Sequence, residues 1–232
     1  MPDPGYIVGG DIVAVGLDLK PETLLRAYSR GIFPWPSEGL PTFWYSPKRR
    51  AVLDFDRLHV PPRLRRFLKK QPWTYTVDTA FPEVIEACSI REEEGTWILP
   101  GMKAAYCEFH RLGHAHSIEV WEGSLLIGGL YGVDVGGYFA GESMFHRKTN
   151  ASKAALLYAI ALQRQTGRAW MDIQVMSSHM EAFGAREITR KQFQGRLERL
   201  SSTGDPAMSP FSIALRKESG PVDYGAFCNS IE

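Results

Sequence analysis

The order of the predicted elements indicates an α+β protein in which a small irregular N-terminal domain precedes a central, mostly antiparallel sheet. Three observations predict this class. Residues 31–47 are crowded with proline, glycine and aromatic side chains, three strand-like runs occupy residues 116–145, and an apolar helix follows at Ala151–Gln165. Strands separated by glycine turns are typical of antiparallel hairpins, and an apolar helix needs a sheet face to cover it. We therefore expect one domain at residues 1–50 and a larger one at 51–232.

The first half of the chain is predicted to hold short helices and strands. A helix is expected from Pro21 to Tyr28, because proline suits the first helical turn. Three prolines between residues 34 and 41 argue against long regular elements there. Apolar periodicity and β-branched residues then predict strands at residues 51–53 and 74–77 and helices at residues 63–70, 82–88 and 101–112.

The second half is predicted to form a three-stranded meander, a long helix, and further short elements. The predicted strands are residues 116–121, 125–133, 137–145 and 170–175, and the predicted helices are residues 151–165, 178–183 and 193–200. Asn150 and Ser178 are placed as helix caps, and the residues from 201 onward are expected to pack as a partial strand. The meander–helix–strand–helix order resembles the acyltransferase fold of the GCN5-related N-acetyltransferase superfamily.

The composition excludes several classes of protein. Hydrophobic residues make up 44% of the chain and charged residues 23%, which is ordinary for a globular protein. No run approaches 18 apolar residues, and the N-terminus lacks the pattern of a secretory signal, so we expect no membrane partner. Cys88, Cys107 and Cys228 are odd in number and widely spaced, which favours reduced thiols in a cytoplasmic protein.

The positive charges are concentrated in one segment, although the net charge is only +1. Residues 48–70 hold nine lysines and arginines, opposed only by Asp54 and Asp56, so this window carries +7. Such a patch can attract a nucleic acid by releasing the counterions of its phosphates. A solvated helix face is the alternative interpretation, and the charge pattern alone leaves both open.

Two predicted strands carry carboxylates that are candidates for chemistry. In the strand at 170–175, alternation places Asp172 and Gln174 on one face, where an acid and an amide can act together on a proton. In the strand at 137–145, it places Glu142 on the face of Met144, among apolar neighbours. Buried carboxylates are enriched at functional sites, but spacing alone favours the simpler interpretations, a wet strand face for Asp172 and Gln174 and a structural ion pair for Glu142.

The known cofactor motifs are not found. His110, His114 and His116 are close together, but no acid or cysteine completes a zinc-site spacing, so we expect no metal. The chain has neither a dinucleotide-binding glycine motif nor a phosphate-binding loop. The turn that binds the pyrophosphate of coenzyme A in acetyltransferases is also missing from residues 146–153. We therefore expect no cofactor.

Eight sequence runs together resemble the leucyl/phenylalanyl-tRNA–protein transferase family, in order and at family-like spacing over roughly residues 6–200. They are YSRGIFPW at 28–35, WYSP at 44–47, EGTWI at 94–98, GHAHSIEVW at 113–121, GGLYGV at 128–133, GESMF at 141–145, ASK at 151–153 and DIQV at 172–175. The resemblance implies a small N-terminal domain and an acetyltransferase-type catalytic domain. It further implies a cytoplasmic enzyme without coenzyme or metal.

The implied activity is the transfer of Leu or Phe, and less well Met, from aminoacyl-tRNA to an N-terminal Arg or Lys, which marks the acceptor protein for N-degron-dependent degradation. We expect the enzyme to act as a monomer. Two alternatives stay open: a coenzyme A-dependent acyltransferase of the same fold, and a non-catalytic RNA-binding module that uses the basic window and the tryptophans. In the long helix, Ala159 stands where related chains have Phe, which leaves the Leu-versus-Phe preference open.

The resemblance also implies roles for individual residues. The expected catalytic group comprises Asp172, Gln174 and Glu142, with Asp172 polarising Gln174. The residues expected near the 3′ adenosine and the aminoacyl group are Trp35, Trp97, Leu130, Met144 and Met171. From the charge of the basic window, and not from a motif match, the residues expected to hold tRNA phosphates are Arg63, Arg65, Arg66, Lys69 and Lys70.

Overall fold

The computed structural model describes residues 10–90 and 96–202 of the 232-residue chain, with only the backbone described at residues 201 and 202. Two sheets, one of three strands and one of seven, are covered by helices. The predicted class, α+β with a mostly antiparallel central sheet and a small N-terminal unit, is confirmed. Cys228 and the tail predicted beyond residue 202 lie outside the described residues.

The N-terminal unit holds a helix and a small antiparallel sheet. Its elements are β1 (Ile12–Val15), α1 (Pro21–Tyr28), β2 (Phe33–Trp35) and β3 (Phe43–Tyr45), and the sheet has the order β1-β3-β2. The helix agrees with the sequence prediction. The prolines keep the strands short, as expected, but the sequence did not predict that these short segments pair with one another.

The larger sheet has the strand order β10-β4-β9-β8-β7-β6-β5. Its strands are β4 (Arg49–Asp54), β5 (Thr74–Val77), β6 (Ala115–Glu122), β7 (Leu125–Val135), β8 (Tyr138–His146), β9 (Trp170–Gln174) and β10 (Arg186–Thr189). The helices are α2 (Pro62–Leu68), α3 (Phe81–Ser89), α4 (Pro100–Arg111), α5 (Ala151–Gln165), α6 (Ser178–Ala182) and α7 (Arg190–Ser202). All of them were predicted within a few residues except β10, a four-residue edge strand that is too short to show a period.

The predicted meander is present as β6, β7 and β8, each antiparallel to the next. The chain then crosses over through α5, so β9 runs parallel to β8 in the one parallel pair among the described strands. Two capping expectations need correction. Asn150 occupies the cap position of α5 without a side-chain hydrogen bond. Ser177, not Ser178, caps α6, because its hydroxyl accepts the N–H of Met180.

Each face of the large sheet has its own hydrophobic cluster. On one face α2 and α5 bury side chains such as Leu64 and Leu156, and on the other α1, α3, α4 and α7 bury Tyr28, Tyr106 and Phe193. The second cluster contains side chains from both the N-terminal unit and the larger unit. The domain boundary at residues 50 and 51 stays a prediction. No described helix has the length and hydropathy of a membrane span.

A β-bulge interrupts β8 at Glu142. The residues on either side of it pair with Gly132 and Tyr131, which are adjacent on β7, so Glu142 is an extra residue in this strand. A bulge shifts the alternation of side chains by one position. The expectation that Glu142 and Met144 share a face is therefore wrong. Glu142 contacts α1, whereas Met144 packs against the cluster on the α5 face.

A second bulge interrupts β9 at Ile173. Its neighbours Asp172 and Gln174 pair with Val52 and Ala51, which are adjacent on β4. Gln174 also has a positive φ of 62°. The expectation that Asp172 and Gln174 share one strand face is therefore wrong, and the two bulges lie side by side where the parallel strands stop pairing.

Glycine is required at position 132, opposite the β8 bulge. A Cβ atom there would collide with the carbonyl oxygen of Ala140 and with the ring of Phe139. We expect Gly132→Ala to lower the free energy of unfolding in urea by about 1–3 kcal/mol, because the strands must move apart. Gly101→Ala is the matched control, since nothing lies within 4 Å of a Cβ there. Equal stability of the two variants would contradict a tightly packed bulge.

Candidate active site

A cavity of about 390 Å³ opens where β8 and β9 separate. Of the site residues predicted from the sequence, Trp35, Trp97, Leu130, Glu142, Met144, Met171 and Gln174 line it. The sequence analysis therefore identified side chains from both structural units that meet at one place. Asp172 does not line this cavity.

The inner wall of the cavity is apolar. Leu130, Met144 and Met171 were expected there, and Leu156 of α5 joins them. The sequence analysis missed a second group, which begins at the β9 bulge and comprises Ile173, Val175, Met176 and Met180. The four methionines among these residues are unbranched and flexible, so the wall can adapt to side chains of different shape.

Two tryptophans lie at the other side of the cavity. Trp35 of β2 and Trp97 pack against each other, with ring centroids 5.4 Å apart and an interplanar angle of 31°. Both are partly exposed, so aromatic surface remains open to the cavity. Such a surface can stack on a nucleobase or another flat ring.

Glu142 is held by a network of neutral donors. The Tyr28 hydroxyl and the Gln174 side-chain amide each donate to Oε1 of Glu142 over 2.7 Å. Tyr28 is also hydrogen-bonded to the hydroxyl of Tyr106. The other carboxyl oxygen, Oε2, is buried and has no hydrogen-bond partner among the described residues. Tyr28 and Tyr106 were not identified from the sequence, because each occurs in an ordinary amphipathic helix.

Burial raises the pKa of Glu142 to about 8. The nearby carboxylate of Asp172 raises this pKa further, while the hydrogen bonds from Tyr28 and Gln174 and the charge of Arg50 oppose the rise. A buried oxygen without a partner is less costly when it is protonated. At neutral pH the carboxyl therefore carries its proton for most of the time.

Gln174 lies in a strained turn. The N–H of Val175 donates to the carbonyl of Ile173 over 2.7 Å, and Gln174 between them has a positive φ. A γ-turn with a positive central φ is rare, and for a residue other than glycine it stores strain. The backbone N–H of Gln174 also donates to Asp172 Oδ1 over 2.9 Å. The turn points the Gln174 amide at Glu142.

Asp172 is fully buried and faces Arg50 of β4. Arg50 donates to both carboxylate oxygens, from Nε over 2.8 Å and from Nη2 over 2.6 Å. Its remaining Nη1 donates to the carbonyl of Gly31 over 3.1 Å, and its guanidinium lies between the rings of Phe33 and Phe193. Asp172 can therefore act on Gln174 through the backbone turn, but it does not contact the Gln174 side chain.

Arg50 was misread in the sequence as part of the basic window. It is only 1% exposed, so it belongs to the interior and cannot contact a polyanion. Arg49 beside it forms an exposed pair with Glu187. Nothing in the local sequence distinguishes the two arginines except strand alternation, which places Arg50 on the face of Val52.

The five predicted phosphate contacts lie on or just after α2. Arg63, Arg66, Lys69 and Lys70 are exposed, and Arg65 is partly buried. Within the described part of the chain, α2 has no acidic residue in its first turn and its arginines form no ion pair. The helix therefore presents a basic surface, which is called the α2 patch below.

The histidines have structural roles. His116 is buried and bonded to Asp78 over 2.6 Å, and His110 stacks on Phe81. Within residues 10–90 and 96–202, no group of three or more His, Cys, Asp or Glu side chains is arranged to hold a metal ion.

Comparison with known proteins gives a consistent match. The family model described as leucyl/phenylalanyl-tRNA protein transferase matches residues 52–198, and the model of its N-terminal domain matches residues 17–48. A leucyl/phenylalanyl-tRNA–protein transferase of Shewanella baltica is 50% identical over 202 residues, which cover 84% of each chain. Proteins of the same name from Nitratidesulfovibrio vulgaris and Yersinia enterocolitica are 48% and 47% identical, with 83–84% of each chain covered.

The raised pKa of Glu142 makes the stability of the protein depend on pH. The pKa of this carboxyl is near the ordinary value of 4.5 in the unfolded chain and near 8 in the folded protein. The contribution of Glu142 to the free energy of unfolding is therefore greatest below about pH 4.5, and it is lost as the pH rises to 8. We expect Glu142→Gln to gain stability relative to the parent between pH 5 and pH 8, by up to about 4 kcal/mol. Urea unfolding at both pH values measures this difference.

Glu187→Gln controls for the loss of a carboxylate at an exposed position. A constant difference between the parent and Glu142→Gln at the two pH values would mean that Glu142 is ionised throughout this range.

Proposed function

Because this chain belongs to the leucyl/phenylalanyl-tRNA–protein transferase family, we propose that it forms a peptide bond between Leu or Phe, carried by tRNA, and the N-terminus of an acceptor protein. The structural observation that best supports this function is the cavity. It joins an aromatic surface, an apolar wall and the Glu142–Gln174 pair in one space of about 390 Å³. That combination suits an adenosine esterified to an apolar amino acid.

The donor would lie with its adenine on Trp35 and Trp97 and its side chain among the methionines. Stacking of a base on an aromatic side chain contributes roughly 1–3 kcal/mol. The apolar wall favours Leu, Phe and Met, whereas charged side chains would lose hydration there without gaining a partner. This arrangement supports the roles that the sequence analysis gave to Trp35, Trp97, Leu130, Met144 and Met171.

The reaction needs an amine that has lost its proton. The nitrogen of the acceptor attacks the ester carbonyl carbon, the C–N bond forms, and the bond from that carbon to the ribose oxygen breaks. The amine gives up a proton and the ribose oxygen takes one up. An α-amine has a pKa of ~7.7–8.0, so correct placement supplies most of the rate.

We assign to Glu142 and Gln174 the binding of the acceptor amine and the transfer of its proton. Since Nε2 of Gln174 donates to Glu142, Oε1 of Gln174 is the atom that can accept an amine hydrogen. The pKa of Glu142, about 8, is close to that of the amine, so a proton can pass between them at little energetic cost. Asp172 acts as a positioning residue, because it reaches Gln174 only through the backbone.

The acceptor is proposed to begin with Arg or Lys, and its modification to mark the protein for N-degron-dependent degradation. We further propose that the enzyme works in the cytoplasm as a monomer. The support for these points is the resemblance described above, together with a carboxyl group, Glu142, that can bind a cationic N-terminus once it is ionised.

The central test of the function uses charged leucyl-tRNA and a peptide that begins with Arg. We expect mass spectrometry to show one added Leu, and we expect Gln174→Ala to reduce the rate at least tenfold without changing the unfolding midpoint. Gln165→Ala, at an exposed site on α5, is the matched control. No product from the parent protein would refute the function, and equal rates for the two variants would refute the role of Gln174.

The α2 patch is proposed to hold phosphates of the tRNA without reading its sequence. We expect Arg66→Glu to weaken tRNA binding and to flatten the plot of log affinity against log salt concentration by about one unit. Arg65→Glu and Lys69→Glu should act in the same direction. Arg26→Glu, on the exposed face of α1, is the control. Filter binding at several salt concentrations measures the slopes, and a slope unchanged from the parent would place the tRNA elsewhere.

A further inference from the structure

A second cavity, of about 560 Å³, lies on the far side of α6 from the active-site cavity. Ser177 and Met180 of the α6 segment line the first cavity, whereas Ser178, His179 and Ala182 line the second. The two spaces are therefore separated by a single helix of five residues. The second cavity is called the α2–α6 groove below.

The floor of the groove is apolar and partly aromatic. It is formed by Leu64 and Phe67 of α2 and by Phe183, which follows α6. Leu64 and Phe183 are buried, but Phe67 is partly exposed, and its ring meets that of Trp73 edge-on at 5.9 Å. Phe67 can therefore offer ring surface to a ligand while it stays anchored in the fold.

The rim of the groove is polar and positively charged. Arg63, Lys153 and His179 line it together with Thr149 and Asn150, and no acidic residue is among the lining side chains. Burial lowers the pKa of His179, and the positive charges of Lys153 and His146 lower it further, so His179 is mostly neutral at pH 7. The positive charge of the rim therefore comes from Arg63 and Lys153, and two cations without an acidic neighbour among the lining residues favour an anion between them.

This combination of a flat apolar floor and a cationic rim suits a nucleotide, which has a flat base and an anionic phosphate. The groove continues the α2 patch, because Arg63 belongs to both. A peptide with an N-terminal Arg or Lys would be repelled by the same charges. The sign of the charge therefore favours the nucleic-acid substrate over the acceptor.

We propose that the α2–α6 groove binds the unpaired nucleotides that immediately precede the terminal adenosine of the donor tRNA. Phe67 stacks on a base, and Lys153 and Arg63 bind the connecting phosphates. The inference rests on the proposed function, which puts the terminal adenosine in the first cavity. A helix with its side chains is about 10 Å across, a distance that two nucleotides can span. The strand would then cross α6 before reaching the α2 patch.

The test compares two donors that differ only in these nucleotides. One is leucyl-adenosine and the other is the leucyl ester of the trinucleotide cytidine–cytidine–adenosine, each used with an Arg-initiated peptide. For the parent protein we expect kcat/KM to be higher for the trinucleotide. Phe67→Ala should lower the trinucleotide value about tenfold and Lys153→Gln several-fold, while the value for leucyl-adenosine stays the same.

Lys191→Gln, at an exposed position on α7, is the matched control for Lys153→Gln and should alter neither donor. The unfolding midpoint of the Phe67→Ala variant shows whether this substitution disturbs the core. If it does, Lys153→Gln, which lies nearer the surface, tests the proposal independently.

Two results would overturn the proposal. One is an unchanged ratio of the kcat/KM values of the two donors in both groove variants, whether or not both values fall, and the other is a changed KM for the peptide when leucyl-adenosine is the donor. The last result would assign the groove to the acceptor. Failure of the proposed function would look different, because the parent protein would then transfer Leu from neither donor nor from leucyl-tRNA.

Discussion

The buried ion pair between Arg50 and Asp172 is the interaction on which the geometry of the site depends. It connects the turn at Gly31, strand β4 and the end of β9, and its guanidinium fills the space between two aromatic rings. Two apolar side chains could fill this space without the desolvation of two charges. A carboxylate at position 172, however, also accepts the N–H that holds Gln174 in its strained turn, which an apolar side chain cannot do. Removal of one partner would leave an uncompensated charge, at a cost of about 3–5 kcal/mol.

The two bulges show how a regular sheet is interrupted to open a cavity. In an unbroken parallel pair, the strands would close the space between β8 and β9 by hydrogen bonding. The extra residues, Glu142 and Ile173, interrupt both ladders at the same level, so the strands separate and side chains turn into the gap. The resulting strain is held by the surrounding packing, including Gly132, where no larger residue fits beside the β8 bulge.

The elements of the fold could be predicted because their signals are local. The apolar period of α5 and the glycine turns of the meander depend on neighbouring residues only, so the sequence determines them directly. The faces of the site residues could not be predicted in this way. A bulge depends on the register of a partner strand that is distant in the sequence, and so the strict alternation assumed for Glu142 and Gln174 was wrong. Arg50 was missed for the same reason, since its partner lies 122 residues further along the chain.

The methionine-rich wall gives one cavity four thioethers. Met144, Met171, Met176 and Met180 all line the same space, and conversion of a thioether to a sulfoxide would place a polar, chiral group in an otherwise apolar wall. Met171 is only 1% exposed and belongs to the core, so a sulfoxide at that position would also disturb the packing against α5. Methionine sulfoxide reductases can reverse this modification, so the change of the wall from apolar to polar is a reversible one.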